Sequence, residues 1–162
     1  MSESIVSVCR MGILCDYFAA ADDATAAAAL DIVGGPGGRL SEHGFQVVST
    51  KDFNPFADVA TVEVALTGEI WEDVWDRRPR PVAMRDEGER LVVPIAEGAC
   101  AALVAATGPA LKAAAVALAR SVAVPGRALA DTGPIVGLLT ELRALARGAS
   151  ERGERVYCWL CV

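Results

Sequence analysis

The clearest hydrophobic pattern in the chain lies in residues 133–162. Apolar side chains recur at helical spacing from Ile135 to Ala146, and charged side chains lie on the opposite side. After Arg155 no charged side chain follows, and such a continuous apolar run is typical of a strand covered on both faces. Pro134 suits a first helical position, and Gly153 suits a left-handed helix cap. The pattern predicts a long amphipathic helix that leads into a C-terminal strand buried inside a sheet.

Branched and aromatic residues mark four further strands, which begin near Met11, Phe45, Val82 and Leu91. The last two strands flank a polar turn over residues 86–89, and this arrangement predicts a β-hairpin. Apolar residues at helical spacing separate the other strands. The predicted helices follow Asp22, extend from Asn54 to about Leu66, and cover residues 69–76, 97–107 and 109–122. We therefore expect an α+β fold, in which several helices cover a small mixed or antiparallel sheet with a buried C-terminal strand.

The length of the chain, 162 residues, suits one domain that buries its core without help from disulfides or metals. Residues 1–10 are weakly patterned, whereas the first good strand follows Met11. The interpretation is a single α+β domain over residues 11–162, with residues 1–10 as an N-terminal extension.

Charge and hydropathy exclude two classes of partner. A net charge of −6 opposes nucleic acid, because affinity for nucleic acid comes largely from cationic contacts to phosphate. The apolar region over residues 98–124 has the length of a membrane span, but Gly108 and Pro109 divide it and many of its residues are alanine. Two buried or half-buried helices are the favoured interpretation. We expect neither nucleic acid nor membrane as a partner.

The sequence names no catalytic residue, cofactor or metal ligand. His43 is the only histidine, so a Ser-His-Asp mechanism or a zinc site would depend on that one residue. The glycine-rich segment at residues 34–38 follows a helix and lacks the Lys-Ser/Thr pair of a phosphate-binding loop, which favours a plain connector.

Five cysteines, an odd number, and the absence of an export signal in the first ten residues predict a reducing cytoplasm. Cys158 and Cys161 form a Cys-x-x-Cys motif, but they lie in the predicted strand, where residues three apart point to opposite faces. Buried structural thiols are therefore favoured over a redox or metal-binding role for this pair.

One segment combines the residue types that dominate protein-binding hot spots. We define the tryptophan–arginine surface as Trp71, Trp75, Arg77, Arg78 and Arg80. If the chain binds another protein, this is the candidate interaction surface. The opposing interpretation, favoured for the tryptophans on spacing alone, is that they pack in the core.

Short motifs in the same order resemble the YfbM-like family of uncharacterised bacterial proteins. They are the opening Met11-Gly12, the Leu66-Thr67-Gly68 after a central helix, and a last helix, Gly153 and hydrophobic strand. The residues from Met11 to Phe18 and from Tyr157 to Val162 also resemble the two ends of actinobacterial hypothetical proteins. The Asp-Lys and Trp-His residues of the broader family would fall on Phe56, Ala57, Val59 and Ala60, so a site made by them would be absent here.

These observations predict a non-catalytic cytoplasmic interaction or regulatory protein with a protein partner, of which an immunity-like protein is one form. The alternative is a small-molecule enzyme or ligand-binding protein. An enzyme would show a concave pocket with convergent polar groups and shifted pKa values, whereas an interaction module would expose an apolar or acidic patch.

Overall fold

The computed structural model describes residues 12–32, 35, 37 and 46–162. The predictions for residues 1–10, for His43, and for the start of a strand at Phe45 lie outside the described residues. So does most of the glycine-rich segment at residues 34–38.

Within the described ranges, five strands form one antiparallel sheet, which confirms the predicted α+β fold. The strands are β1 (Leu14–Ala20), β2 (Val47–Lys51), β3 (Ala83–Arg85), β4 (Arg90–Pro94) and β5 (Arg155–Cys161). Their order across the sheet is β2-β1-β5-β4-β3, and each neighbouring pair is antiparallel. The predicted hairpin is confirmed as β3 and β4, in which Met84 pairs with Leu91.

The last strand lies at the centre of the sheet, as its apolar run predicted. It pairs with β1 on one side, where Tyr17 faces Cys158, and with β4 on the other, where Val92 faces Trp159. All residues from Val156 to Cys161 are buried. Side chains on both faces of β5 are covered, which is why the sequence shows no alternation of polar and apolar residues.

Among the described residues the helices are α1 (Asp23–Ala27), α2 (Ala57–Thr67), α3 (Trp71–Asp76), α4 (Glu97–Ala105), α5 (Gly108–Ser121) and α6 (Gly133–Glu151). Short 3-10 turns cover Ala28–Asp31 and Asp86–Gly88. Side chains set the helix boundaries: the Asn54 carboxamide accepts hydrogen bonds from the backbone of Phe56 and Ala57 before α2. Gly68 ends α2 in the left-handed conformation, with φ of 75°, which glycine adopts without steric cost.

Two hydrophobic clusters cover the two faces of the sheet. Helices α2, α4, α5 and α6 contribute to the larger cluster, which includes Tyr17, Cys158 and Leu160 of the sheet. The smaller cluster joins Phe18, Tyr157 and Trp159 to the segment around α1. Because successive residues of β5 alternate between the two clusters, this one strand contributes to the core on both sides.

The two cysteines of the Cys-x-x-Cys motif point to opposite faces, as predicted, because Cys158 belongs to the larger cluster and Cys161 to the smaller. Cys158 is a buried free thiol. The interpretation of Cys161 as a free thiol was wrong, since Cys161 is disulfide-bonded. The spacing of the motif indicates only whether Cys158 and Cys161 can bond to each other. It gives no information on a disulfide between either of them and another cysteine.

A membrane-spanning helix would need a longer apolar stretch than any helix in the described ranges provides.

Candidate interaction surface

Helix α3 leaves Trp71 exposed and Trp75 half-buried. Its single buried residue is Val74, which packs inward, whereas Ile70 before the helix is 64% exposed and Trp71 is 38% exposed. The helical spacing of the apolar residues had predicted that Ile70, Trp71, Val74 and Trp75 form one apolar stripe. Exposure of Trp71 and partial exposure of Trp75 favour the surface interpretation over the core interpretation, and the effect of Trp71→Ala on stability is the test between them.

The two tryptophans and one arginine form a stack. The ring centroids of Trp71 and Trp75 are 5.6 Å apart with an angle of 15° between the planes. The Cζ atom of Arg78 lies 4.1 Å from the centroid of the Trp75 ring, and Arg78 Nη1 donates a hydrogen bond of 2.7 Å to the Trp75 carbonyl. An aromatic pair contributes about 0.5–1.5 kcal/mol and an exposed cation–π contact about 0.5–1 kcal/mol. These contacts hold the stack in one conformation before any partner binds.

Arg77 anchors α3 to the rest of the protein. Its Nη2 atom donates a hydrogen bond of 2.9 Å to Glu63 on α2 and another to Glu69. Glu63 is 1% exposed, so this ion pair is buried on the carboxylate side. The hydrogen bond from Arg77 lowers the pKa of Glu69, and its two carboxylate partners raise the pKa of Arg77. Arg77 therefore positions the tryptophan–arginine surface, and its own charge is neutralised there.

The buried carboxylate of Glu63 also meets the start of α4. A Cβ atom on Gly98 would lie 2.3 Å from Glu63 Oε1, so only glycine leaves room for this close approach. Among the described residues α4 has no side-chain cap, because Ala96 occupies the capping position. A negative charge beside the first turn of a helix is stabilised by the helix dipole. Glu63 thus links α2, the first turn of α4 and, through Arg77, the end of α3.

A groove of about 540 Å³ lies beside the stack. Its lining includes the rings of Phe56 and Trp75 and the charged residues Asp76, Arg78 and Arg80. Two arginines against one aspartate give the groove a net positive charge, in a chain whose total charge is −6. Apolar rings and an excess of positive charge favour a segment that is acidic and carries an apolar side chain.

The structure brings four of the five predicted residues together. Trp71, Trp75 and Arg78 form the stack, and Arg80 lines the groove beside it, whereas Arg77 turns to Glu63. Sequence reasoning missed Phe56, whose ring reaches the groove from the residues before α2. No local signal marks Phe56, because its contact with the surface depends on how α2 and α3 pack.

Burial keeps the thiols of Cys100 and Cys158 protonated. Desolvation raises the pKa of Cys100 to about 11 and raises the pKa of Cys158 well above its ordinary value. In the described part of the chain no group of three or more His, Cys, Asp or Glu side chains is arranged to hold a metal ion. A protonated thiol is a poor nucleophile, so neither cysteine is activated for covalent chemistry.

Compared with protein-family models, with curated proteins and with solved structures, the chain matches none. The resemblance to the YfbM-like family stays a prediction. Any functional conclusion for this protein rests on its own residues.

Proposed function

We propose that this is a non-catalytic protein that binds another protein through the tryptophan–arginine surface. The observation that carries the proposal is the partly exposed stack of Trp71, Trp75 and Arg78, which the exposed Ile70 precedes in the chain. Tryptophan and arginine are the residue types most enriched in binding hot spots. Because the stack is already ordered, a partner that covers it causes little further loss of side-chain entropy.

The partner segment that fits this surface is an extended acidic stretch with at least one apolar anchor. Arg80 and Arg78 would meet its carboxylates, and the rings of Phe56 and Trp75 would receive the anchor. A partner that is basic overall is disfavoured at the groove itself, although the rest of the chain is acidic. We propose that this binding regulates one cognate protein, as an immunity-like protein does.

The cytoplasm is the compartment we propose for this binding. Cys15, Cys100 and Cys158 are free thiols, which suits a reducing compartment. The disulfide bond of Cys161 is the observation against it. Acid quenching of intact cells followed by alkylation in denaturant would decide the matter, because Cys161 is buried in the folded protein and a reduced Cys161 would be labelled only after unfolding.

The experiment compares binding by wild-type protein and two surface variants, Trp71→Ala and Arg80→Glu. Random peptides displayed on phage would be selected on the wild-type protein, and the affinity of the enriched peptides would be measured for each variant. We expect the selected peptides to combine acidic with apolar residues, and both variants to bind them at least about tenfold more weakly.

Arg120→Glu is the matched control, because Arg120 is an exposed arginine at the end of α5, outside the groove and the stack. All three variants should melt within about 4 °C of wild type, which for a chain of this length corresponds to roughly 1 kcal/mol. The proposal fails if no peptide is enriched, or if peptides bind Trp71→Ala as tightly as wild type. A collapse of stability in Trp71→Ala would assign this ring to the core.

A further inference from the structure

A second concave site lies away from the tryptophan–arginine surface, between α4, the end of α6 and the start of β5. Its volume is about 470 Å³, within the range of small-molecule sites in proteins. Five apolar side chains form much of its lining: Ile95, Val104, Ala146, Ala149 and Val156. None of the lining residues belongs to the groove beside the stack. The cavity is therefore an independent candidate site with an apolar wall.

Arg155 lines this cavity with hydrogen-bonding capacity unused. Its Nε atom is buried and has no hydrogen-bond partner among the described residues. The neighbouring carboxylates are too distant for strong hydrogen bonds, because Nε lies 4.0 Å from Glu97 Oε1 and Nη1 lies 3.5 Å from Asp23 Oδ1. Nε itself is closed to solvent, so a ligand would reach Arg155 through the rest of its side chain, which is 41% exposed. The planar fork of arginine matches a carboxylate.

Two carboxylates also line the cavity, and they differ in whether a nearby cation already balances their charge. Glu154 is paired with Arg152 at 3.1 Å, so its charge is already balanced. Glu97 is 86% exposed on its side chain, and its only described partner is the distant Arg155. Arg155 and Glu97 thus bring one cation and one anion to the cavity about 4 Å apart, next to an apolar wall, and Asp23 balances part of the Arg155 charge.

We propose that this cavity binds a free amino acid with an apolar side chain. Its carboxylate would pair with Arg155, its ammonium group with Glu97, and its side chain would lie on the apolar wall. The positive and negative groups of an amino acid are adjacent, as are Arg155 and Glu97. A simple carboxylic acid would face repulsion from Glu97, and a simple amine would face repulsion from Arg155.

The protonated thiol of Cys100 indicates that the cavity binds its ligand without forming a covalent bond to it. It lines the cavity close enough to Arg155 that the arginine charge opposes the rise in its pKa. Desolvation still dominates, and the thiol remains protonated at neutral pH. Cys100 therefore contributes a neutral wall, and Ser150 is the uncharged polar residue of the lining.

The test measures binding of L-leucine, L-valine and L-phenylalanine to the full chain by isothermal titration calorimetry and by thermal shift. Two analogues of leucine remove one charge each: 4-methylpentanoate lacks the ammonium group, and 3-methylbutylamine lacks the carboxylate. We expect saturable binding of at least one amino acid, with leucine or its best relative bound at least about tenfold more tightly than the matching analogues.

Two pairs of variants locate the site. Arg155→Gln should weaken binding at least about tenfold, whereas Arg147→Gln, an exposed arginine on the same helix as Ala146, should leave it unchanged. Ala105→Phe should block the cavity from an exposed lining position, whereas Ala113→Phe changes an exposed residue outside the lining.

Absence of saturable binding of all three amino acids up to about 10 mM would overturn the proposal. Equal affinity for 4-methylpentanoate, or unchanged affinity in Arg155→Gln, would also overturn it. The Trp71→Ala variant should bind the amino acid as wild type does. Failure at this cavity is therefore distinguishable from failure at the tryptophan–arginine surface.

Discussion

Replacing Gly98 by alanine tests the contact between Glu63 and α4. Alanine in a helix is ordinarily more favourable than glycine by about 0.5–1 kcal/mol. Here the new Cβ atom would lie 2.3 Å from Glu63 Oε1 and 3.3 Å from Glu63 Cδ, so the carboxylate must move. Glu63 is 1% exposed and is held by Arg77, and movement breaks that hydrogen bond. We expect the substitution to destabilise the protein.

The magnitude follows from three contributions. A hydrogen bond to a charged group contributes about 1.5–3 kcal/mol, and the lower end applies because Arg77 is 44% exposed. Crowding of a packed site adds about 1 kcal/mol, and the helical preference of alanine offsets less than about 1 kcal/mol. The net loss is about 2 kcal/mol, which lowers the melting temperature by about 4–8 °C for a chain of this length.

Thermal and urea melts followed by circular dichroism would measure the effect. Gly137→Ala is the matched control, because Gly137 lies inside α6 and nothing among the described residues lies within 4 Å of the position of its Cβ atom. This control should gain about 0.5–1 kcal/mol. In a Glu63→Ala background the penalty of Gly98→Ala should disappear. A Gly98→Ala protein that melts at or above wild type would refute the reasoning, as would the same loss in both backgrounds.

Two further predictions concern the central strand and a thiol. Deleting residues 157–162 should abolish soluble, cooperative folding, because β1 and β4 would lose the strand that pairs with both of them. Gel filtration and a thermal melt of the truncated chain would check this. A folded product would show that β5 is peripheral. The rate of Cys100 alkylation by iodoacetamide should rise about tenfold per pH unit up to pH 10, because only the thiolate reacts and burial raises the thiol pKa to about 11. Mass spectrometry would measure the rate. A rate that stops rising near pH 9 would contradict the raised pKa.

The strands and helices could be predicted because their signals are local. The apolar run after Arg155 predicted a strand covered on both faces, and β5 is buried on both sides. Gly68 predicted the end of α2 and Asn54 its approximate start, three residues before the helix begins at Ala57, because their conformations and hydrogen bonds involve only neighbouring residues. The order of the strands had no such signal, since it depends on pairing between distant segments.

The candidate sites could be predicted only in part, because their geometry depends on distant contacts. Their spacing alone predicted that Trp71 and Trp75 lie on one face of a helix and favoured packing of both rings in the core. The orientation of α3 depends on Val74 and on the ion pair of Arg77 with Glu63, which lies in another helix. The cavity at Arg155 joins α4, α6 and β5, so no stretch of sequence contains its lining residues together.

The central position of β5 has a consequence for synthesis of the protein on the ribosome. Phe18 of β1 pairs with Tyr157, so about 140 further residues must be made after Phe18 before this ladder can close. Until then, one edge of β1 and one edge of β4 have no partner strand, and unpaired edges invite association with other chains. The helices have local contacts and are free to form earlier. Nascent chains that end before β5 is complete should therefore be the species that chaperones bind.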